Sequence, residues 1–210
     1  MANLVTLSRL LLLFVLVVMA YKAPPTWQLV NAPLLVLIIV LDSLDGYVAR
    51  KRGESSVFGS IFDIAVDRVV ENVLWIVLAD LDLIPVWVAL VFITRSLVVD
   101  SIRCRGVADG QTAFGMMRSP WGRFLVSGRF MRGLYGTLKA LTFGWIFLVQ
   151  PWPALLPDFW AVWSLPLRFV TSLLVYASVL VCLLRAAPVI AEFAISEGLA
   201  TRSRASREPR

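Results

Sequence analysis

The chain has 210 residues, of which 59% are hydrophobic and 16% are charged, with a net charge of +6 and no histidine. A soluble domain is usually about half apolar and about a quarter charged, so this composition indicates a membrane protein. The lack of histidine excludes Ser-His and Cys-His catalysis and metal sites built on imidazole. Cys104 and Cys182 lie in different contexts and predict neither a disulfide nor a metal site.

Six apolar segments follow one another along the chain, each near the roughly 20 residues that a helix needs to cross a bilayer. They fall at 4–20, 27–49, 57–79, 84–102, 134–150 and 167–191. We therefore expect an all-α membrane protein, a six-transmembrane-helix bundle in one domain over residues 1–196. The first segment lacks a basic leader and a nearby cleavage site, so it is expected to be a retained span. Residues 197–210 are expected to form a basic, disordered cytoplasmic tail.

The basic residues predict the orientation of the bundle. Arginine and lysine are concentrated at 50–52, within 103–133 and in the tail, whereas the opposite connections hold only Lys22 and Arg168. The positive-inside rule then places both termini in the cytoplasm. Because the basic residues lie between and after apolar runs, they suit anionic lipid or phosphate, and no nucleic-acid partner is expected.

Two pairs of aspartates flank the connection between the second and third segments. Asp42 and Asp45 are three residues apart, which puts both on one face of a helix. Asp63 and Asp67 are four residues apart, with the same consequence. The short connection makes the two helices antiparallel neighbours, so the four carboxylates are expected to converge near their cytoplasmic ends.

A charge at bilayer depth costs at least about 2.5–3.5 kcal/mol, so such a cluster needs a counter-charge. Carboxylate oxygens are hard ligands that suit Mg²⁺, Mn²⁺ or Ca²⁺, and the sequence predicts a divalent-cation site. The alternative is a set of membrane-edge charges that face water. Gly46, Ala49 and Gly59 fit either close approach of a ligand or ordinary helix packing.

A longer pattern includes these aspartates. The stretch Asp42-x2-Asp45-Gly46-x2-Ala49-Arg50-x8-Gly59-x3-Asp63-x3-Asp67 resembles the signature of the CDP-alcohol phosphotransferase family without departure. Asn3-x2-Thr6-x2-Arg9 is similar to a weaker pattern of that family, and the six-span layout also resembles it. The resemblance implies transfer of a phosphatidyl group from CDP-diacylglycerol to an alcohol, with release of CMP. It also implies a bacterial cytoplasmic membrane, an active site that faces the cytoplasm, and a possible homodimer.

The resemblance also implies a role for each matched residue. Asp42, Asp45, Asp63 and Asp67 would hold Mg²⁺ or Mn²⁺, with two ions expected, and Asp67 would be the general base. The residues implied in binding the CDP-lipid are Thr6, Ser8, Gly46, Ala49, Arg50, Ser56 and Gly59.

The acceptor alcohol is predicted from basic residues outside this pattern. The residues that suit a phosphorylated acceptor are Arg95, Arg103, Arg129, Arg132 and Lys139. Glycerol 3-phosphate is the first choice, since Arg95-x7-Arg103 resembles the phosphatidylglycerophosphate synthases of the family. Inositol or inositol phosphate is the alternative, because the Asp67-Arg68 pair resembles the inositol-using members. The same basic residues would also serve as topology signals at the cytoplasmic edge.

Two functions of other classes fit part of the pattern. A divalent-cation transporter would use the aspartates as an ion pathway, and it predicts polar residues that continue across the membrane. A structural protein would bind anionic lipid through the Arg-rich tail, which leaves the intramembrane aspartates unexplained.

Overall fold

The computed structural model describes the backbone of residues 2–52, 57–108 and 119–205, and the side chains of residues 5–42, 59, 61–105 and 119–196. Within these ranges there are helices and turns and no strand, which confirms the all-α prediction. The long helices are α1 (Ala2–Lys22), α2 (Asn31–Arg52), α3 (Val57–Asp80), α4 (Val86–Ala108), α5 (Arg129–Val149) and α6 (Pro157–Ala205). Short helical turns occupy Pro25–Gln28, Pro120–Gly122 and Trp152–Leu155, and a π-helical turn occupies Arg123–Ser127.

Each predicted apolar segment falls largely within one long helix. Among the described residues, three stretches are both long and apolar enough to cross a membrane: Val5–Lys22, Pro25–Asp42 and Pro157–Ser196. These stretches support a membrane protein. The count of six spans and the cytoplasmic placement of both termini stay predictions.

Helix α6 is longer than the sequence suggested, because Pro157–Ala205 is one helix of 49 residues. Pro157 at its first position lacks only an N–H that would have no helical partner there, and Asp158 in the first turn suits the positive end of the helix dipole. At its other end the helix includes residues 197–205. The boundary at residue 196 and the cytoplasmic tail that follows it stay predictions. Residues 206–210 lie outside the described residues.

The chain divides into two compact units, and the first comprises residues 1–90 and 138–176. Helix α1 packs against both α2 and α3. Leu13 and Leu16 of α1 and Leu35 and Ile38 of α2 are almost fully buried. Because α1 contacts both of its neighbours, a side chain of α1 can reach the aspartates of both helices.

Aromatic and polar contacts also join helices within the first unit. The rings of Trp75 and Phe143 lie 4.5 Å apart between centroids. The hydroxyl of Tyr21 donates to Oδ2 of Asp80 at 2.6 Å, which joins the end of α1 to the end of α3.

The second unit comprises residues 91–137 and 177–210. Its core contains Val99 and Ile102 of α4, Val126 of the π-helical turn, and Ala186 and Val189 of α6. The segment that precedes α5 is held in this unit by polar contacts. The backbone N–H of Ser119 donates to Oε1 of Glu192 at 3.1 Å, and the Ser119 hydroxyl donates to the same oxygen.

Candidate functional site

Three of the four predicted metal ligands come together in the first unit. Asp42 lies near the middle of α2, and Asp63 and Asp67 lie one turn apart on α3. One carboxylate oxygen from each lies within 4.8 Å of the other two. The predicted convergence is therefore confirmed for these three residues. The side chain of Asp45 lies outside the described residues.

The donor set and its exposure fit a divalent ion. The side chains of Asp42, Asp63 and Asp67 are 38%, 42% and 50% exposed, so other protein groups leave space for an ion and a substrate beside them. Ions such as Mg²⁺ combine a few carboxylates with water and substrate phosphate oxygens. The cluster is thus suited to an ion that also holds a phosphate, while the identity and number of ions stay predictions.

Arg9 of α1 contacts all three carboxylates, and its side chain is only 3% exposed. Its Nη1 atom lies 2.7 Å from Oδ1 of Asp42 and 3.0 Å from Oδ1 of Asp63. Its Nη2 atom donates to Oδ1 of Asp67 at 2.6 Å. Sequence reasoning included Arg9 in a family pattern but gave it no role. The sequence does contain a signal for a role of Arg9, since it is the only charged residue in the apolar segment 4–20. An intramembrane charge requires a partner.

The predicted CDP-lipid residues are described only in part. Thr6 is buried on α1, and the Ser8 hydroxyl donates to the carbonyl of Val5 at 2.7 Å within the same helix. Gly59 is half-buried on α3. The side chains of the remaining members lie outside the described residues: Gly46, Ala49, Arg50 and Ser56. The assignment of these seven residues to the donor stays a prediction.

The second unit places one predicted acceptor residue, Arg95, beside the ring of Tyr135, together with Arg185. The guanidinium carbon of Arg95 lies 5.6 Å from the Tyr135 ring centroid, and that of Arg185 lies 5.4 Å from it. The charges of Arg95, Arg103 and Arg132 all act on Arg185. These four arginines form the basic cluster of this unit. Arg185 was missed by sequence reasoning, although an arginine deep in an apolar segment was again the available signal.

Arg185 is a buried member of the basic cluster with unsatisfied N–H groups in the described part of the chain. Arg185 is only 6% exposed, and its Nη2 atom donates to the carbonyl of Val126 at 3.4 Å. Its Nε and Nη1 atoms have no hydrogen-bond partner in the described part of the chain. The Nη1 atom of Arg103 lies 3.9 Å from Oδ1 of Asp100. Buried charged donors without partners are costly, so this arrangement favours an anion.

The two other predicted acceptor residues lie in different surroundings. Arg129 is exposed at the start of α5. Lys139 belongs to the first unit, where its Nζ atom lies 2.8 Å from Oε1 of Glu71. Arg68 also contacts Glu71, through Nη1 and Oε2 at 3.3 Å. The structure therefore pairs the charge of Lys139 with a carboxylate. The assignment of Arg129 and Lys139 to the acceptor stays a prediction.

Comparisons with known proteins agree with these features. The profile of the CDP-alcohol phosphatidyltransferase family matches residues 1–184. A Bacillus subtilis protein named CDP-diacylglycerol--glycerol-3-phosphate 3-phosphatidyltransferase is 28% identical over 127 residues, which cover 55% of this chain and 66% of the relative. A Rickettsia bellii protein of the same name is 30% identical over 104 residues, covering 48% of this chain and 56% of the relative.

A relative with a different name matches similarly well. The phosphatidylinositol phosphate synthase of Corynebacterium glutamicum is 32% identical over 111 residues, covering 49% of this chain and 51% of the relative. The matched stretches of these three relatives thus span between about half and two thirds of their lengths. Because the family profile covers most of the sequence, the chain belongs to the CDP-alcohol phosphatidyltransferase family.

Proposed function

We propose that the chain transfers a phosphatidyl group from CDP-diacylglycerol to glycerol 3-phosphate and releases CMP. The observation that carries this proposal is the approach of three carboxylate oxygens, from Asp42, Asp63 and Asp67, to within 4.8 Å of one another. An anionic diphosphate repels a nucleophile, and divalent ions held by carboxylates reduce that repulsion. Two relatives named for this reaction support the choice of donor and acceptor.

In the proposed reaction the chain supplies ligands and a base. The acceptor hydroxyl oxygen forms a bond to the phosphorus of the phosphatidyl group, the bond from that phosphorus to the CMP oxygen breaks, and the hydroxyl proton passes to Asp67. Mg²⁺ or Mn²⁺ held by Asp42, Asp45, Asp63 and Asp67 would neutralise phosphate charge. Asp67 suits the base because it is the most exposed of the three described carboxylates, at 50%, and a soluble acceptor can reach it.

We assign the acceptor phosphate to the basic cluster. Arginine binds phosphate through paired hydrogen bonds, and Arg185 has buried N–H groups that a phosphate would satisfy. Arg95, Arg103 and Arg132 add to the positive charge around it. Arg129 and Lys139 stay predicted acceptor residues, and Lys139 has the weaker support because it already pairs with Glu71.

Inositol phosphate is the second candidate acceptor. The observation that favours it is the 32% identity to a relative named phosphatidylinositol phosphate synthase. Both acceptors carry a phosphate, so the basic cluster fits either one. The family assignment favours a transferase over the divalent-cation transporter that the sequence also allowed.

The cellular setting belongs to the same proposal. The relatives are bacterial, and the helices include three long apolar stretches, which supports the bacterial cytoplasmic membrane. The Lys and Arg distribution supports an active site that faces the cytoplasm. We also propose a homodimer, on the resemblance to the family alone.

CMP release by purified protein tests the proposal directly. The protein in detergent is given CDP-diacylglycerol, Mg²⁺ or Mn²⁺, and one of four acceptors: glycerol 3-phosphate, inositol phosphate, inositol or serine. We expect CMP release to require the metal, to stop with EDTA, and to be fastest with glycerol 3-phosphate. If CMP release is fastest with inositol phosphate, that molecule is the acceptor and glycerol 3-phosphate is not. No metal-dependent release with any acceptor would overturn the transferase.

A further inference from the structure

Arg9 and a divalent ion would use the same carboxylates. The guanidinium contacts Oδ1 of Asp42, Oδ1 of Asp63 and Oδ1 of Asp67, all at 3.0 Å or less. These are the three residues whose oxygens converge in the candidate metal centre. An ion placed among those oxygens would meet the positive charge of Arg9 at short range, where like charges repel strongly.

Arg9 is placed to offset the repulsion among the three carboxylates. Three carboxylates within 4.8 Å repel one another, and the repulsion would separate α2 from α3. Arg9 comes from a third helix, α1, which packs on both, and its side chain is almost fully buried. A planar guanidinium bridges several oxygens at once, whereas a lysine ammonium provides a single point charge.

We propose that Arg9 is a positioning residue of the metal centre. Its guanidinium holds the three carboxylates together when no divalent ion is bound, and it gives up some of these contacts when an ion binds. The inference rests on the metal centre of the proposed function and adds a competition between Arg9 and the ion. By linkage, each must weaken the binding of the other by the same factor. Arg9 therefore stabilises the metal-free protein and raises the concentration of metal that the protein needs.

A merely structural ion pair has different consequences. Its removal would destabilise the protein equally with and without metal, and metal binding would weaken or stay the same as the carboxylates lost their order. Competition instead predicts that the ion compensates for the loss of Arg9. The informative quantity is therefore the loss of stability on removing Arg9, compared between the protein without metal and the protein with metal.

The experiment uses Arg9→Gln in the full chain, purified in detergent, with Mn²⁺ as the probe. Mn²⁺ binding is measured by electron paramagnetic resonance, and Tm is measured in EDTA and in saturating Mn²⁺. We expect the Kd for Mn²⁺ to fall about tenfold, within the usual range of coupling between two sites. We expect a lower Tm than that of the wild type in EDTA, and a difference that largely closes in Mn²⁺.

Arg185→Gln is the matched control, because it also removes a buried arginine, whose Nη2 atom donates to the carbonyl of Val126. Its Kd for Mn²⁺ should match the wild type, and its change in Tm should be the same in both conditions. Arg9→Lys should give intermediate values, since it keeps the charge but not the bridging geometry.

Several results would overturn the proposal. Two of them concern Arg9→Gln: unchanged or weaker Mn²⁺ binding, or an equal loss of Tm in EDTA and in Mn²⁺. The others are no Mn²⁺ binding by the wild type, or failure of both Arg9 variants to fold even with Mn²⁺ present throughout. None of these measurements uses CDP-diacylglycerol or CMP. A protein inactive on every acceptor but with the expected Arg9 effects would refute only the transferase, and an active protein without those effects would refute only the role of Arg9.

Discussion

The Nζ atom of Lys139 on α5 lies 2.8 Å from the Oε1 atom of Glu71 on α3, and both side chains are largely buried, at 17% and 10% exposed. Breaking a buried ion pair on one side leaves an uncompensated charge and costs about 3–5 kcal/mol, whereas removing both partners costs much less. Glu71 also contacts Arg68, at 3.3 Å, so Glu71→Gln leaves two cations without this carboxylate. We expect Glu71→Gln to lower Tm more than the double variant Glu71→Gln/Lys139→Met does. Thermal unfolding in detergent measures both.

The same pair of variants separates two roles of Lys139. If the lysine only pairs with Glu71, the double variant recovers part of the stability and keeps the wild-type KM for glycerol 3-phosphate. An increase in that KM in the double variant but not in Glu71→Gln, with the KM for CDP-diacylglycerol unchanged, would instead support Lys139 as an acceptor residue.

Asp67→Asn should lower kcat for CMP release by about 10²–10⁴-fold, because positioned general bases usually contribute that much. Asparagine keeps the size of the side chain but cannot accept the acceptor proton. Asp80→Asn is the control, on the same helix and roughly 20 Å away at 1.5 Å per residue. Asp80 pairs with the hydroxyl of Tyr21 and should tolerate the change with near wild-type kcat. Wild-type turnover by Asp67→Asn would exclude the assignment of the base.

Arg185→Gln should raise the KM for glycerol 3-phosphate by about tenfold or more, since a hydrogen bond to a charged group contributes about 1.5–3 kcal/mol. The KM for CDP-diacylglycerol should stay unchanged. Arg168→Gln is the control, because Arg168 is exposed near the ring of Trp160 and belongs to no proposed site. Steady-state kinetics with each substrate varied in turn checks the result, and equal changes in both KM values would contradict the assignment.

Gly128→Ala tests the packing of the segment before α5. A Cβ atom on Gly128 would collide with the backbone carbonyl oxygen of Phe124, which cannot rotate away as a side chain does. Overpacking of this kind costs about 1–3 kcal/mol, so Tm should fall. Gly133→Ala is the matched control, because its Cβ would meet nothing within 4 Å and alanine favours a helix. Equal Tm values for the two variants would show that the segment adjusts freely.

Local periodicity made much of the site predictable. The spacing of Asp63 and Asp67 puts both on one face of a helix in any context, and the short connection brings Asp42 near them. The convergence of the three aspartates therefore follows from helix geometry and from the short stretch of sequence between the two helices. The same reasoning found the long helices, because apolar segments of about 20 residues form helices in a membrane.

Contacts between distant segments were not predictable in this way. Arg9 and Asp67 are 58 residues apart, and Arg185 and Val126 are 59 apart, so their contacts depend on which helices pack together. A lone charge in an apolar segment shows that a partner is required, but it does not identify that partner. The pairing of Lys139 with Glu71 is of the same kind, because the two residues lie on different helices.

The sequence by itself determined the helical class, the membrane character and the aspartates of the candidate metal centre, because these follow from composition and from the repeat of a single helix. Tertiary structure decided which cation stands among those aspartates, which arginines gather around Tyr135, and how far the last helix extends. The physical reason is that a buried charge must be neutralised by whatever group the packing of helices brings within about 3 Å, and that packing is a property of the whole chain.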